Sequence, residues 1–281
     1  MSLEVKIYQK ERTLSFFKLL KSSLKDIYSS RFLAKQLAVR DIKAQYRQSY
    51  LGIVWAFIGP LATAVIWIML NSSGAITLTD TGIPYPVYAF SGTLIWSIVT
   101  ASILNPISST KGAKSILTKV NFPKEALVVS GIYKLLFNSA LKLVLLLVFI
   151  FIYGMDFHLN MLFFPLVLVG AILFGTTLGL LLTPFEMLYD DVTRLRSFIL
   201  KILMYVTPVV YAVPKEGILK PLMEYNPFTA IILTARDVIT GLPLDYLTYF
   251  LVLMLIMIPL LLLALVFYRL SIPILVERMS A

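Results

Sequence analysis

Six long apolar runs fill this chain, and the positive charge between them is lopsided. A bilayer core needs ~20 apolar residues for each helical crossing. Runs of that kind lie at about Leu51–Asn71, Tyr85–Asn105, Gly131–Tyr153, Met161–Leu182, Ser197–Val213 and Tyr246–Tyr268. They are too long and too uniformly apolar for the alternating strands of a membrane barrel. Backbone N–H and C=O groups in lipid must be satisfied within the segment, so each run is expected to be a helix. With 59% hydrophobic and 14% charged residues, a water-soluble fold of 281 residues is hard to reconcile with so much apolar surface. The expected class is an all-α polytopic membrane protein with six transmembrane helices.

Lysine and arginine set the orientation. The segment before the first run carries 11 basic residues, and the other segments on the same side carry 4, 2 and 2. The three segments on the opposite side carry 0, 0 and 3, while Lys134, Lys142 and Lys201 lie within runs. The positive-inside rule therefore puts both termini in the cytoplasm and the chain in the cell inner (plasma) membrane. The net charge of +10 reflects this asymmetry. Its natural counter-charge is anionic inner-leaflet lipid, and no nucleic-acid partner is expected. The first 50 residues hold no early apolar core before a small-residue cleavage site, so the first run is expected to direct insertion. There is no cysteine, which excludes disulfides and thiolate metal sites, and the single histidine, His158, cannot hold a metal alone.

Three regions are expected: 1–49, a cytoplasmic amphipathic and interface region; 50–270, the membrane domain; and 271–281, a cytoplasmic tail. In the first, Phe16, Phe17, Leu20, Leu24 and Ile27 share a helical face opposite Lys18, Lys21 and Lys25, with Thr13 or Ser15 able to cap the start. That pattern suits an interfacial helix, and equally one whose apolar face docks on a protein. A second helix is expected over Arg31–Ser49, with Phe32, Val39, Ile42 and Tyr46 on a stripe that also admits Lys35 and Lys43. The segment from Ser108 to Pro123 reads as a short surface helix. Asp190 and Asp191 suit the N-terminus of the following helix, where negative charge is favoured. On the outer side, about residues 214–245 hold two apolar helical stretches, Ile218–Tyr225 and Phe228–Thr240, punctuated by Pro214, Pro221, Pro227 and Pro243. Neither can span, and a re-entrant outer hairpin between the fifth and sixth runs is expected.

Several segments resemble the membrane subunit of ATP-binding-cassette polysaccharide exporters, which move O-antigen, teichoic acid and related polymers. They are the stretch from Arg40-Asp41-Ile42-Lys43 through Ser49-Tyr50-Leu51-Gly52 to Trp55 and Pro60; Phe122-Pro123-Lys124-Glu125; Tyr189-Asp190-Asp191-Val192; Thr207-Pro208-Val209-Val210-Tyr211; and Asn226-Pro227-Phe228-Thr229 with Arg236. Asp190-Asp191 stands where relatives often carry a basic-acidic pair. The resemblance implies a homodimer with two copies of a separate cytoplasmic ATPase, which would hold the ATP and Mg. It implies that Arg40, Asp41 and Arg47, then Lys111 and Lys114, then Glu186, Asp190, Asp191 and Arg194 couple to that ATPase. It also makes Asn226, Pro227, Phe228 and Arg236 part of an outer gate.

The residues agree that this chain does not hydrolyse ATP itself. Gly112-Ala113-Lys114-Ser115 lacks the spacing of a phosphate-binding loop, no cofactor site is expected, and no nucleophile–base pair stands out. A polymer route needs surfaces that hold sugars weakly, as aromatic faces do. Tyr85, Tyr88, Gly92, Trp96 and Val99 fall within ~80° of one helix face, and Tyr85, Tyr88 and Trp96 are expected to line the route. The tyrosines also fit an ordinary interfacial belt. On the first run, Gly52, Trp55, Gly59, Ala62 and Thr63 share a small-residue face suited to close packing or a dimer seam. Lys134, Asn138 and Lys142 repeat at i, i+4, i+8. Charges at membrane depth usually meet a partner or a wet cavity, so these are candidates for the pyrophosphate of a polyprenyl-linked glycan, with snorkelling as the plainer reading. The alternative cargo is a small molecule or lipid. A membrane-bound glycosyl- or phosphotransferase would need more acidic or metal-binding residues, and a secondary transporter would show carboxylates within its spans.

Overall fold

The structure is a computed structural model, and it describes residues 15–47, 50–74, 81–120 and 122–280. Thr13, Gln48, Ser49 and Asn121, which the sequence reading used, lie outside the described residues. Eleven α-helices and no strand occur among the described residues: α1 Phe16–Ser29, α2 Arg31–Arg47, α3 Trp55–Ser72, α4 Tyr85–Gly112, α5 Lys114–Leu117, α6 Glu125–Ile152, α7 Phe164–Leu188, α8 Asp190–Tyr205, α9 Leu219–Glu224, α10 Pro227–Thr240 and α11 Leu247–Ser280. Four of the regions, Tyr85–Gly112, Glu125–Ile152, Leu159–Leu188 and Leu247–Glu277, are long and apolar enough to cross a membrane. α3 and α8, at 18 and 16 residues, cover the remaining two apolar runs and are shorter.

The centre of the bundle is α4, buried along most of its length and packed by α3, α6, α7 and α10. Its contact with α7 is a close approach of backbones. A Cβ at Gly175 would lie 2.5 Å from the Ser102 Cβ, and one at Gly179 would lie 2.3 Å from the Ile103 oxygen. Glycines four apart share one helix face, which lets two helices meet without intervening side chains. Gly170, further along α7, admits the Phe250 ring of α11 in the same way. Around this seam lies a core of Phe90, Leu94, Ile98, Val99, Phe174 and Ile231. A smaller cluster surrounds Tyr268 at the other end, where the Tyr268 and Thr110 hydroxyls are 2.8 Å apart.

Several boundaries differ from the sequence reading, each for a local reason. α4 continues to Gly112, so only four residues of the expected loop helix stand apart as α5. The fifth apolar run stops being helical at Tyr205, because Pro208 disfavours the α conformation at the residue before it and cannot donate a backbone hydrogen bond. α8 starts at Asp190, with Asp190 and Asp191 in its first turn. On α2 the buried residues are Ala34 and Ala38, while Phe32 and Val39 of the expected stripe are exposed. Small alanines let α2 lie against α6, an arrangement bulky side chains would prevent. α1 likewise turns Leu19 and Ser23 inward and leaves Phe17 77% exposed.

Gly179→Val should lower the thermal unfolding midpoint of the purified protein, overpacking of this kind costing about 1–3 kcal/mol. Gly112→Ala, where an added Cβ meets nothing within 4 Å, should leave the midpoint within the error of the wild type. Equal midpoints for wild type and Gly179→Val would remove the seam from its central place.

Candidate functional site

Beyond Tyr205 the chain runs unwound from Val206 to Tyr211, and the carbonyls of this stretch find partners one by one. The Asn226 amide Nδ2 donates to the Val206 oxygen at 2.9 Å, and the Val209 N–H donates to the Thr207 oxygen at 2.7 Å. Arg236 donates through Nη1 to the Pro208 oxygen at 3.0 Å and through Nη2 to the Val209 oxygen at 2.6 Å. Tyr85 and Tyr88 hydroxyls donate to the Val210 and Tyr211 oxygens at 2.9 and 3.1 Å. Non-helical backbone at membrane depth is tolerated only where it is satisfied in this way.

Two helices position these side-chain donors. α10 supplies Asn226 and Arg236. Asn226 also caps that helix, its Oδ1 accepting from the Phe228 N–H at 3.0 Å. α4 supplies the tyrosines, and its Gly92 makes room, since a Cβ there would lie 1.8 Å from the Val209 oxygen and 2.1 Å from Arg236 Nη2. Arg236 is 0% exposed and forms no ion pair among the described residues. Its guanidinium carbon lies 3.6 Å from the Tyr88 ring centroid, and its Nε reaches the Ser91 hydroxyl at 3.4 Å. Carbonyl dipoles and a π face thus take the place of a counter-ion. Trp96 packs on Phe228 with centroids 5.5 Å apart, and Phe174 meets Phe228 edge-on at 5.1 Å. Residues expected separately, as a route-lining stripe (Tyr85, Tyr88, Trp96) and as an outer gate (Asn226, Pro227, Phe228, Arg236), therefore form one cluster. In this conformation Tyr88 and Trp96 are buried, at 3% and 7% exposed.

The opposite end is built from buried acids. Glu186, 1% exposed, accepts from Arg196 Nε at 2.5 Å and from the Thr193 hydroxyl at 2.7 Å. Lys111 Nζ, at the end of α4, donates to the same Thr193 hydroxyl at 2.9 Å and sits 3.8 Å from Glu186 and 3.9 Å from Asp190. Lys111, Glu186 and Asp190 are thus brought together in one corner. Lys114, Asp191, Arg194 and Arg47 are exposed. Arg40 pairs with its neighbour Asp41 at 2.8 Å.

The polar stripe of α6 has partners inside the chain. Lys134 pairs with Asp41 at 3.0 Å, Asn138 accepts from the Tyr46 hydroxyl at 2.9 Å, and Lys142 donates to Ser97 at 3.0 Å. The first two fasten α2 to α6. Burial raises the Asp41 pKa, but the hydrogen bonds and charges of Arg40 and Lys134 outweigh it and hold the carboxyl below its usual range. A depressed carboxylate stabilises at neutral pH, and its contribution is lost as acid takes the pH through the folded pKa. One cluster was missed in the sequence. Arg269 donates to Asp26 at 2.7 Å, to Glu125 at 2.5 Å and to Ser22 at 3.0 Å, and Ser23 donates to Glu125 at 2.9 Å, which clips α1 onto α6 and α11. The available signal was an acid and a base, Glu125 and Arg269, each beside an apolar run at the same membrane face.

Arg236→Met should lower the unfolding midpoint strongly, because it orphans two buried carbonyls at about 1–3 kcal/mol each. Arg236→Lys should recover only part, since a single ammonium lacks the planar fork. Glu186→Ala should raise amide hydrogen exchange across residues 186–196 while leaving α10 protected, because it strips the partner from Arg196. Unchanged exchange there would show that the ion pair is not what orders the corner.

Residues 33–240 match the family model for the ABC-2 type transporter. The chain is 27% identical over 212 residues to "O-antigen export system permease protein RfbA" of Myxococcus xanthus, covering 74% of this chain and 80% of that protein. It is 26% identical over 232 residues to "O-antigen export system permease protein RfbA" of Klebsiella pneumoniae, covering 80% of this chain and 87% of that protein. The long apolar helices and the match over most of the sequence agree, and the chain belongs to the ABC-2 type transporter family as a multi-pass membrane permease.

Proposed function

We propose that this chain is the channel-forming subunit of an ATP-driven exporter that moves lipid-linked polysaccharide, O-antigen or teichoic-acid-like, out of the cytoplasm. It works as a homodimer with two copies of a separate cytoplasmic ATPase, which carries the ATP and Mg. The observation that carries this reading is likeness over four-fifths of the chain to permeases named for O-antigen export. The fold is read as six crossings in the inner membrane, α3 and α8 being the first and fifth. The basic end and both termini are cytoplasmic, and the α9–α10 hairpin re-enters from outside. The regions 1–49, 50–270 and 271–281 are the interface region, the membrane domain and the tail.

Exposure in the single chain supports the division of labour. Every residue of α8 is at least partly exposed, with Leu195, Phe198, Ile202 and Tyr205 open, and α3 presents Trp55, Ile66 and Met69. Gly59 on α3 faces open space. These surfaces suit lipid and a second copy of the chain. At the basic end, Arg47, Lys114, Asp191 and Arg194 are free to meet the ATPase, and Lys111, Glu186, Asp190, Arg40 and Asp41 hold the elements that present them. Tyr85, Tyr88 and Trp96 would line the route once the hairpin, with Asn226, Pro227, Phe228 and Arg236, moves away. A glycan pyrophosphate would reach Lys134 and Asn138 only when α2 lifts from α6, because Asp41 and Tyr46 occupy them. Lys142 completes that stripe.

A second reading, export of small molecules or lipids, is favoured by one feature. A wholly apolar cavity of about 360 Å³ lies between α4, α7, α8 and α10, lined by Ile103, Leu178, Leu182, Ile199 and Phe228 among others, and could seat an acyl chain. Depleting the protein and measuring the pool of polyprenyl-linked glycan separates the two. Full-length glycan should accumulate on the cytoplasmic side while surface polymer disappears. An unchanged pool with intact surface polymer would overturn the polymer reading in favour of the smaller cargo.

A further inference from the structure

Asn226, Arg236, Tyr85 and Tyr88 together form a clasp on the unwound segment, and Tyr88 also stands at its rim. There a pocket of about 280 Å³ is lined by Thr81, Tyr88, Asp237, Leu242, Asp245 and Tyr246 among others. Ligand pockets run upward from about 300 Å³, so this one has room for a single small ring. Asp237 is the unusual member. It follows Arg236 on α10 and is only 7% exposed, yet its carboxylate has no hydrogen bond and no ion pair among the described residues. Its carboxylate opens onto the pocket, where a ligand hydroxyl can take the place of solvent.

We propose that this pocket is a subsite for one monosaccharide ring of the exported polymer, a reading that rests on the polysaccharide function proposed above. The lining carries the two features a neutral sugar needs. Asp237 and Asp245 are acceptors, and a carboxylate takes short, strong hydrogen bonds from hydroxyls. Tyr246 offers a ring face for the C–H side of the sugar and a hydroxyl for its edge, while Tyr88, buried with its ring on Arg236 and its hydroxyl on the Tyr211 oxygen, closes the inner wall of the pocket. Leu242 adds apolar surface. A calcium ion would want six or more oxygen ligands, and among the described residues no three His, Cys, Asp or Glu side chains gather for a metal. Because Tyr88 both lines the pocket and stacks on Arg236, the sugar would sit against a side chain of the clasp. The site therefore binds a passing unit weakly where the chain emerges.

Saturation-transfer NMR on the permease–ATPase complex in lipid nanodiscs tests this directly. The probes are the methyl glycosides of glucose, galactose, mannose, rhamnose and N-acetylglucosamine, with ethylammonium as the cationic control. At least one glycoside should receive saturation at its ring C–H protons. Asp237→Asn and Tyr246→Leu should each weaken that binding about tenfold. Asp245→Asn, at an exposed position, should weaken it too and guards against a misfolded Asp237 variant. No signal from any glycoside, saturation of ethylammonium alone, or glycoside binding that survives all three substitutions would overturn the subsite. Glycan accumulation on depletion would then still leave the export reading standing. Glycoside binding lost in the variants, with an unchanged glycan pool on depletion, would support a sugar site and overturn polymer export.

Discussion

A helix that stops short exposes carbonyls that must find partners, and the end of this bundle around α10 is arranged around that problem. α8 has 16 residues, about 24 Å at 1.5 Å per residue, which is less than a bilayer core of about 30 Å. As the proposed fifth crossing, it would leave the remaining distance to unwound backbone. Arg236 is the answer to it: a permanently charged fork, wholly buried, spending two donors on consecutive carbonyls. Once that fork is fixed, much else follows. α10 must lie deep enough to deliver it, Asn226 must cap α10 while holding Val206, and α4 must carry glycine at 92 so that the unwound backbone and the guanidinium can both approach. The aromatic contacts between Trp96, Phe228 and Phe174 then fill the space beneath.

The basic end solves a different problem, that of joining short loops to long helices without a large apolar core. It does so with two nearly buried acids, each held by an arginine: Glu125 by Arg269, 144 positions away, and Glu186 by Arg196, 10 positions away. Such pairs add little net stability against well-packed apolar residues, but losing one partner leaves a buried charge and is strongly unfavourable. They therefore act as fasteners that fix which elements meet. One fastens α1 to α6 and α11, and the other fastens the α7–α8 corner to the end of α4 through Lys111 and Thr193. A force applied to α5 or to the start of α8 reaches the long helices through these contacts rather than dissipating in a loop. That is what coupling to an ATPase would require.

Long uniform runs at about Gly131–Tyr153 and Tyr246–Tyr268 were legible in the sequence because apolar length is itself the signal, although the helices extend past them, back to Glu125 and on to Ser280. The arms of the outer hairpin were legible because prolines mark their ends. Helix faces were less so. On α2 the eye is drawn to Phe32 and Val39, yet alanines are buried, because the close approach of α6 selects for small size and not for apolarity. The lysines of α6 show the same limit. A sequence displays Lys134 as a charge at membrane depth, whereas its partner, Asp41, lies 93 positions away and becomes visible only when α2 folds back. The two halves of the clasp were each recognisable, one by its aromatic spacing and one by Asn226-Pro227-Phe228, but nothing local in either says that they touch. Gly92 looked like part of an aromatic stripe. Its role, to leave space for backbone more than a hundred residues away, has no local trace at all.

The clasp also constrains how a gate built from it can open. Its bonds to Val206, Pro208 and Val209 come from Asn226 and Arg236, so moving the hairpin away frees those three carbonyls, while Tyr85 and Tyr88 of α4 keep Val210 and Tyr211. In a dry interior each carbonyl so orphaned costs about 1–3 kcal/mol, whereas exchanging a protein partner for water nets only about 0.5–1.5 kcal/mol per bond. The difference means that the segment cannot open into lipid or into a void. It can open only as water enters and takes over the carbonyls, and the same water would solvate Arg236. As the proposed gate, the clasp is therefore stable closed when dry and permissible open when wet, so the hydrated polymer that needs the route carries with it the solvent that makes opening affordable.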